Sequence, residues 1–168
     1  MLKPVIVCIG TNKIVGDALG PLVGDFLTDI YNIDAFVYGK SSRNVNGVNF
    51  IDYIKHIKEH HNKSIIIAVD SCLGTKIDIG KIKYSKQGVR AGGALGKDNA
   101  RIGDIGVLGV VAAYGDNNFN ILKSVNEDFV EEMAFKISGK VMNLVCNLEK
   151  TSDFFFNIAK NSKLIYGM

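Results

Sequence analysis

Apolar residues run without interruption from Val5 to Ile9 and stop at Gly10. Such a run reads as a strand buried on both faces of a parallel sheet. Beyond it the pattern changes period. Leu19, Leu22, Val23, Phe26, Leu27 and Ile30 recur at spacings of three and one, which places them on one face of a helix. Pro21 falls in its first turn, where a missing N–H costs little. "DAFVYGK" reads as a second strand, and "NFIDYIKHIKEHHNK" as a second helix with Phe50, Ile51, Ile54 and Ile57 inward. "SIIIAVDSCLG" is the strongest strand of the chain and is expected to end near Asp70. "KIDIGKIKYS" alternates at Ile77, Ile79, Ile82 and Tyr84, and "IGVLGVVAAYG" is a further strand. Ser124 is placed to cap a long helix carrying Val125, Phe129, Met133, Ile137, Val141, Leu144, Val145 and Leu148. A last short helix is expected over "DFFFNIAK".

Alternation of strand and helix predicts an α/β protein, a layered sheet with right-handed crossovers. Between the fourth and fifth strands lies "KQGVRAGGALGKDNARIGD", whose glycines predict a long loop. There is no repeat, no low-complexity segment and no linker, so the 168 residues are expected to form one domain, with 151–168 as a C-terminal extension.

Composition narrows the function. The chain is 47% hydrophobic with a net charge of +3, and that charge is dispersed, without the clustered basic stripe of a nucleic-acid binder. No apolar run reaches 18 residues, so no membrane span is expected. Cys8, Cys72 and Cys146 are three well-separated cysteines with no CxxC pair, which fits a reduced, cytoplasmic compartment and argues against a zinc knuckle.

Sheets of this kind bind ligands beyond the carboxyl ends of their strands. Two carboxylates are expected there. Asp17 follows the first strand within a loop containing Gly10, Gly16 and Gly20 that is neither a GxGxxG fingerprint nor a P-loop. Asp17 can also be read as a helix cap. Asp70 closes an apolar run, where an unpaired carboxylate is costly. Together they suit acid/base activation of water, or equally a divalent metal. Thr11 and Asn12 are candidates to orient a substrate, with Lys97 and Arg101 reaching it from the glycine-rich loop. Cys72 lacks a histidine placed to activate it. His56 and His60 have the i, i+4 spacing of zinc ligands but sit in a lysine-rich stretch that reads as a solvated face. Asp104 reads as a local cap or ion-pair partner.

"IGTNKIVGDALGPLVG", "IIIAVDSCLG" and "GALGKDNARIGDIGVLGVV", in that order, resemble bacterial sporulation proteins of the YyaC type. Those proteins resemble the germination protease of spore-formers and, more distantly, the hydrogenase maturation endopeptidases. The resemblance covers about residues 4–148. It implies a three-layer α/β/α fold of the phosphorylase/hydrolase-like kind with a mixed, mostly parallel sheet. It also implies a cytoplasmic hydrolase of a spore-forming bacterium acting on a protein or peptide, with Asp17 and Asp70 as its catalytic acids. In the maturation endopeptidases the matching acids bind nickel together with a histidine. Here no histidine follows His61, and Asn46, in "NVNGVNF", stands where the sporulation family carries one. Asn46 is thus a candidate substrate contact without acid/base capacity, which leaves open a non-catalytic, partner-binding member of the family. The glycine-rich loop and the "DFFF" tail are candidate contacts for a homo-oligomer.

Overall fold

The first strand's four residues, Val5–Cys8 (β1), are all fully buried, as an unbroken apolar run demands. The computed structural model describes residues 2–90 and 100–165, with side chains as far as residue 151. Lys97 and most of the glycine-rich loop lie outside the described residues. Around β1 the chain builds a five-stranded sheet in the order β2-β1-β3-β7-β4, where β2 is Phe36–Tyr38, β3 Ile66–Gly74, β4 Ile82–Ser85 and β7 Ile105–Ala113. The first four strands in that order are parallel, and β4 joins β7 antiparallel. The sheet is therefore mixed and mostly parallel, as expected.

Helices cover both faces. Alternate strand residues Ile6, Cys8, Ile67, Val69 and Val107 pack with Leu19 and Val23 of α1 (Leu19–Asp25) and Ile137 and Val141 of the long C-terminal helix. Val5, Val7, Ile9 and Ala68 point the other way, onto Phe50, Ile54 and Ile57 of α2 (Phe50–His60). The result is a three-layer α/β/α arrangement.

The path of the chain positions the site. It leaves β1 through α1 on one face to reach β2, then returns through α2 on the other face to β3. Connections from β1 and β3 thus diverge, and a crevice opens between their carboxyl ends.

Several elements differ from the pattern reading. After Asp25 the helix widens into a π turn, Phe26–Ile30, in which Tyr31 N–H donates to the Phe26 carbonyl at 3.0 Å. The wider turn rotates Ile30 off the inner face and leaves it 58% exposed. In α2 the spacing Phe50, Ile54, Ile57 suffices for the core, and Ile51 faces solvent. β3 does not end near Asp70 but runs to Gly74, because β7 continues to pair with it. Residues Lys76–Asp78 form a 3-10 turn closed by Thr75 and Asp78, so Ile77 and Ile79 are not strand residues and both are exposed. The described ends of the glycine-rich loop form an antiparallel ribbon, β5 (Val89–Arg90) with β6 (Arg101–Ile102). A short helix α3 (Asn118–Lys123) precedes the long one, and Ser124 closes α3 by donating its hydroxyl to the Ile121 carbonyl. The long helix, α4 (Glu127–Ile165), is capped instead by Asn126, whose Oδ1 accepts from Phe129 N–H at 2.9 Å. It continues through the segment expected to form a separate last helix.

Candidate active site

β1 ends level with Val69: Cys8 pairs with Val69, and Ile9 N–H still donates to the Val69 carbonyl at 2.8 Å. Asp70 is therefore mid-strand in β3 yet lies just past the end of β1, on the floor of the crevice. It is 4% exposed. Its Oδ1 accepts a hydrogen bond from the N–H of Ser71 at 2.7 Å.

Asp17 arrives from the opposite wall. Past β1 the chain turns at Gly10, whose φ of +147° disfavours any side chain and where a Cβ would lie 1.9 Å from the Asp17 carbonyl oxygen. The loop folds back on itself, with Thr11 N–H donating to that same carbonyl at 3.2 Å. Asp17 then sits in a 3-10 turn, Val15–Ala18, that leads into α1, and its side chain makes no capping hydrogen bond.

The two carboxylates feel one another. Burial, and secondarily the charge of Asp17, hold the Asp70 carboxyl well above the ordinary carboxylate range; the Ser71 N–H opposes this. Burial pushes Asp17 up to about 6, against the Thr11 N–H and the Ser71 hydroxyl, which favour its charged form. Both shifts favour the protonated carboxyl over the charged one, with burial the first cause in each.

Ser71 is the component that sequence reasoning missed. It is 4% exposed, and among the described residues its Oγ is the one buried side-chain polar atom with no partner in hydrogen-bond geometry, although the hydroxyl lies close enough to Asp17 to favour its charge. A serine inside a strand leaves no mark on the hydrophobic pattern, so only its position beside Asp70 could have drawn notice.

The other candidate residues have different surroundings. Asn12 ties the first loop to the segment after β2, through Nδ2 to the Ser41 carbonyl at 2.8 Å and its own N–H to Asn44 Oδ1 at 3.2 Å. Thr11 Oγ1 accepts from Lys13 N–H. Asn46 Oδ1 accepts from Val48 N–H at 3.0 Å and so closes the turn it belongs to. Next to it, Val45 extends the sheet by bridging Ile9. Cys72 is half-buried, and burial followed by the Asp70 charge pushes its thiol up to about 11, so it is no thiolate nucleophile. His56 and His61 contact Tyr38, with Tyr38 Oη 2.7 Å from His61 Nε2, and His60 stacks on His56. Asp104 lies at the amino ends of the central strands, opposite the aspartates' end, where its Oδ2 accepts from Ile66 N–H and closes the start of β3. Among the described residues no three His, Cys, Asp or Glu side chains converge as metal ligands.

The mixed, mostly parallel sheet covered by helices on both faces is an α/β fold shared with hydrogenase maturation proteases. The NiFe hydrogenase maturation protease HycI from Thermococcus kodakarensis KOD1 superposes with a TM-score of 0.55 at 16% identity, covering 85% of this chain and 92% of its own. An uncharacterized protein from Wolinella succinogenes does so with a TM-score of 0.51 at 13% identity, covering 88% and 99%. By sequence the chain belongs to the family described as protein of unknown function (DUF1256), which matches residues 2–140. It is 36% identical over 133 residues to the uncharacterized protein YyaC of Bacillus subtilis strain 168, a match covering 79% of this chain and 65% of that protein. No helix of the described residues is long and apolar enough to cross a membrane.

Proposed function

We propose that this chain is a peptide-bond hydrolase, cytoplasmic and active in sporulation, in which Asp17 and Asp70 share one catalytic proton. The observation that carries this reading is a buried carboxyl, Asp70, pushed toward its protonated form by burial and by a second carboxyl, Asp17, at the divergence of the β1 and β3 connections. Two acids forced to differ in protonation supply a general acid and a general base at one pH. Ionised Asp17 takes a proton from water as the water oxygen bonds to the scissile carbonyl carbon. Asp70 gives its proton to the carbonyl oxygen. On collapse the C–N bond breaks, Asp17 passes its proton to the leaving nitrogen, and Asp70 recovers the hydroxyl proton. The Ser71 hydroxyl is free to hold the water or to support the Asp17 carboxylate. Among the described residues the donor set stops at two carboxylates, so a divalent ion held by Asp17 and Asp70 would need further ligands.

The test uses Asp17→Asn and Asp70→Asn against a fluorogenic peptide library. Each is expected to keep the wild-type circular dichroism spectrum and to lose cleavage by about 10³-fold. Cleavage retained in both would refute the mechanism.

A second reading is favoured by Asn46. The side chain standing where related sporulation proteins carry a histidine is committed to its own turn. In that reading the fold is kept to bind a sporulation partner, and wild type and both variants are equally inactive.

A further inference from the structure

A cavity of about 580 Å³ opens along the outer edge of the sheet, beside β2, and its lining includes neither Asp17 nor Asp70. Its lining includes Val37 and Tyr38 of β2, Asp52, Tyr53 and His56 of α2, and Arg43 from the segment between them. Such a volume, part aromatic with a few convergent polar groups, is of ligand-binding size.

Three features say what would fill it. First, β2 is the terminal strand of the sheet, so one side of its backbone is unpaired. Phe36 N–H donates to the Pro4 carbonyl at 2.9 Å, toward β1. Backbone groups of a strand alternate in direction, so the N–H and C=O of Val37 face outward, into the cavity's edge. Second, the charged groups are unequally committed. Lys40, also in the lining, is held by Asp29 at 3.0 Å, whereas Arg43 has no ion-pair partner among the described residues. Third, Tyr38 and Tyr53 meet edge to face with centroids 6.0 Å apart, which gives the cavity a rigid apolar wall. A free strand edge recognises an extended backbone, and a fork-shaped guanidinium recognises a carboxylate.

We propose that this cavity is a docking site for an extended peptide segment bearing an acidic residue, which adds as a strand to β2, sets its carboxylate on Arg43 and rests an apolar side chain against Tyr38 and Tyr53. The proposal deepens the hydrolase reading by giving the peptide substrate an anchor away from the aspartates, but the binding it describes needs no cleavage. Arg43 here is a binding residue, and the chemistry stays with the carboxylates.

The test is fluorescence anisotropy on the full chain carrying Asp17→Asn, with labelled Ac-Glu-Val-Glu-Val-Glu-amide and its Lys-Val-Lys-Val-Lys counterpart. The acidic peptide is expected to bind and the basic one to bind at least tenfold more weakly. Arg43→Glu should reverse that preference. Val37→Pro, which removes the outward N–H at an edge position where proline is tolerated, should weaken the acidic peptide at least tenfold. Equal binding of the two peptides, or acidic-peptide binding unchanged in Arg43→Glu, overturns the proposal. So does failure of the acidic peptide to bind the Asp17→Asn chain when that chain keeps the wild-type circular dichroism spectrum. Acidic-peptide binding together with a wild-type chain that cleaves no peptide would leave the site standing while the catalytic reading falls.

Discussion

Asp17 carries a thermodynamic cost that can be measured apart from any reaction. Its carboxyl is raised from 3.8 to about 6 in the folded protein, so between those values the native state binds more protons than the unfolded one. Stability therefore falls as pH rises through that window, by about 3 kcal/mol for this group alone. Asp70, raised in the same direction by burial and then by the Asp17 charge, adds to the decline as pH rises. Asparagine keeps the shape of the protonated acid without its ionisation. Asp17→Asn is thus expected to be more stable than wild type at pH 7 and to show a flatter pH dependence from 4 to 7 in urea melts. A wild-type stability that rises between pH 4 and 6 would contradict the assignment. Activity, if hydrolytic, should appear as pH passes about 6 and Asp17 ionises. Much of this was legible in the chain: a carboxylate closing an apolar run, and another in the loop after the first strand, announce themselves by their cost. Ser71 did not, because one hydroxyl in a strand breaks no pattern. Nor did the commitments of Asn12 and Asn46, since an asparagine that clasps a loop and one that meets a substrate look the same in sequence.

At the scale of elements, long amphipathic segments were readable and their joints were not. Leu19, Val23 and Leu27 reach the core as their spacing requires, but the π turn that displaces Ile30 depends on how the chain must leave the helix to enter β2. The start of α4 makes the point more sharply. Ser124 and Asn126 are both good capping residues, and sequence alone cannot separate them. In the structure Asn126 accepts from Phe129 N–H, while Ser124 finishes the helix before. Asn126→Ala is accordingly expected to destabilise the protein by about 1 kcal/mol, and Ser124→Ala by clearly less, in denaturant titrations. The reverse ranking would restore the cap that the pattern first suggested. The 3-10 turn at Lys76–Asp78 was hidden similarly, because alternating Ile77, Ile79 and Ile82 imitates a strand although two of these isoleucines face solvent.

For the whole molecule, the alternation of strands and helices foretold the layers, but not the order of the strands. That order follows from which face each crossover takes, a choice made by packing rather than by any one segment. Its consequence reaches beyond shape. β1 is flanked by β2 and β3, is fully buried, and shares its register with the strand that carries Asp70. β2, by contrast, has three residues and one bare side. Amide hydrogens should record this as a gradient: those of Ile6, Val7 and Val69 exchange with deuterium only through global unfolding, whereas those of β2 exchange through local opening at far lower free energy. Exchange of Val69 as fast as that of Val37 would contradict it. Asp70 is thus mounted in the fully paired centre of the sheet and Asp17 in the turn beyond its central strand, whereas the three-residue edge strand is the part expected to loosen first.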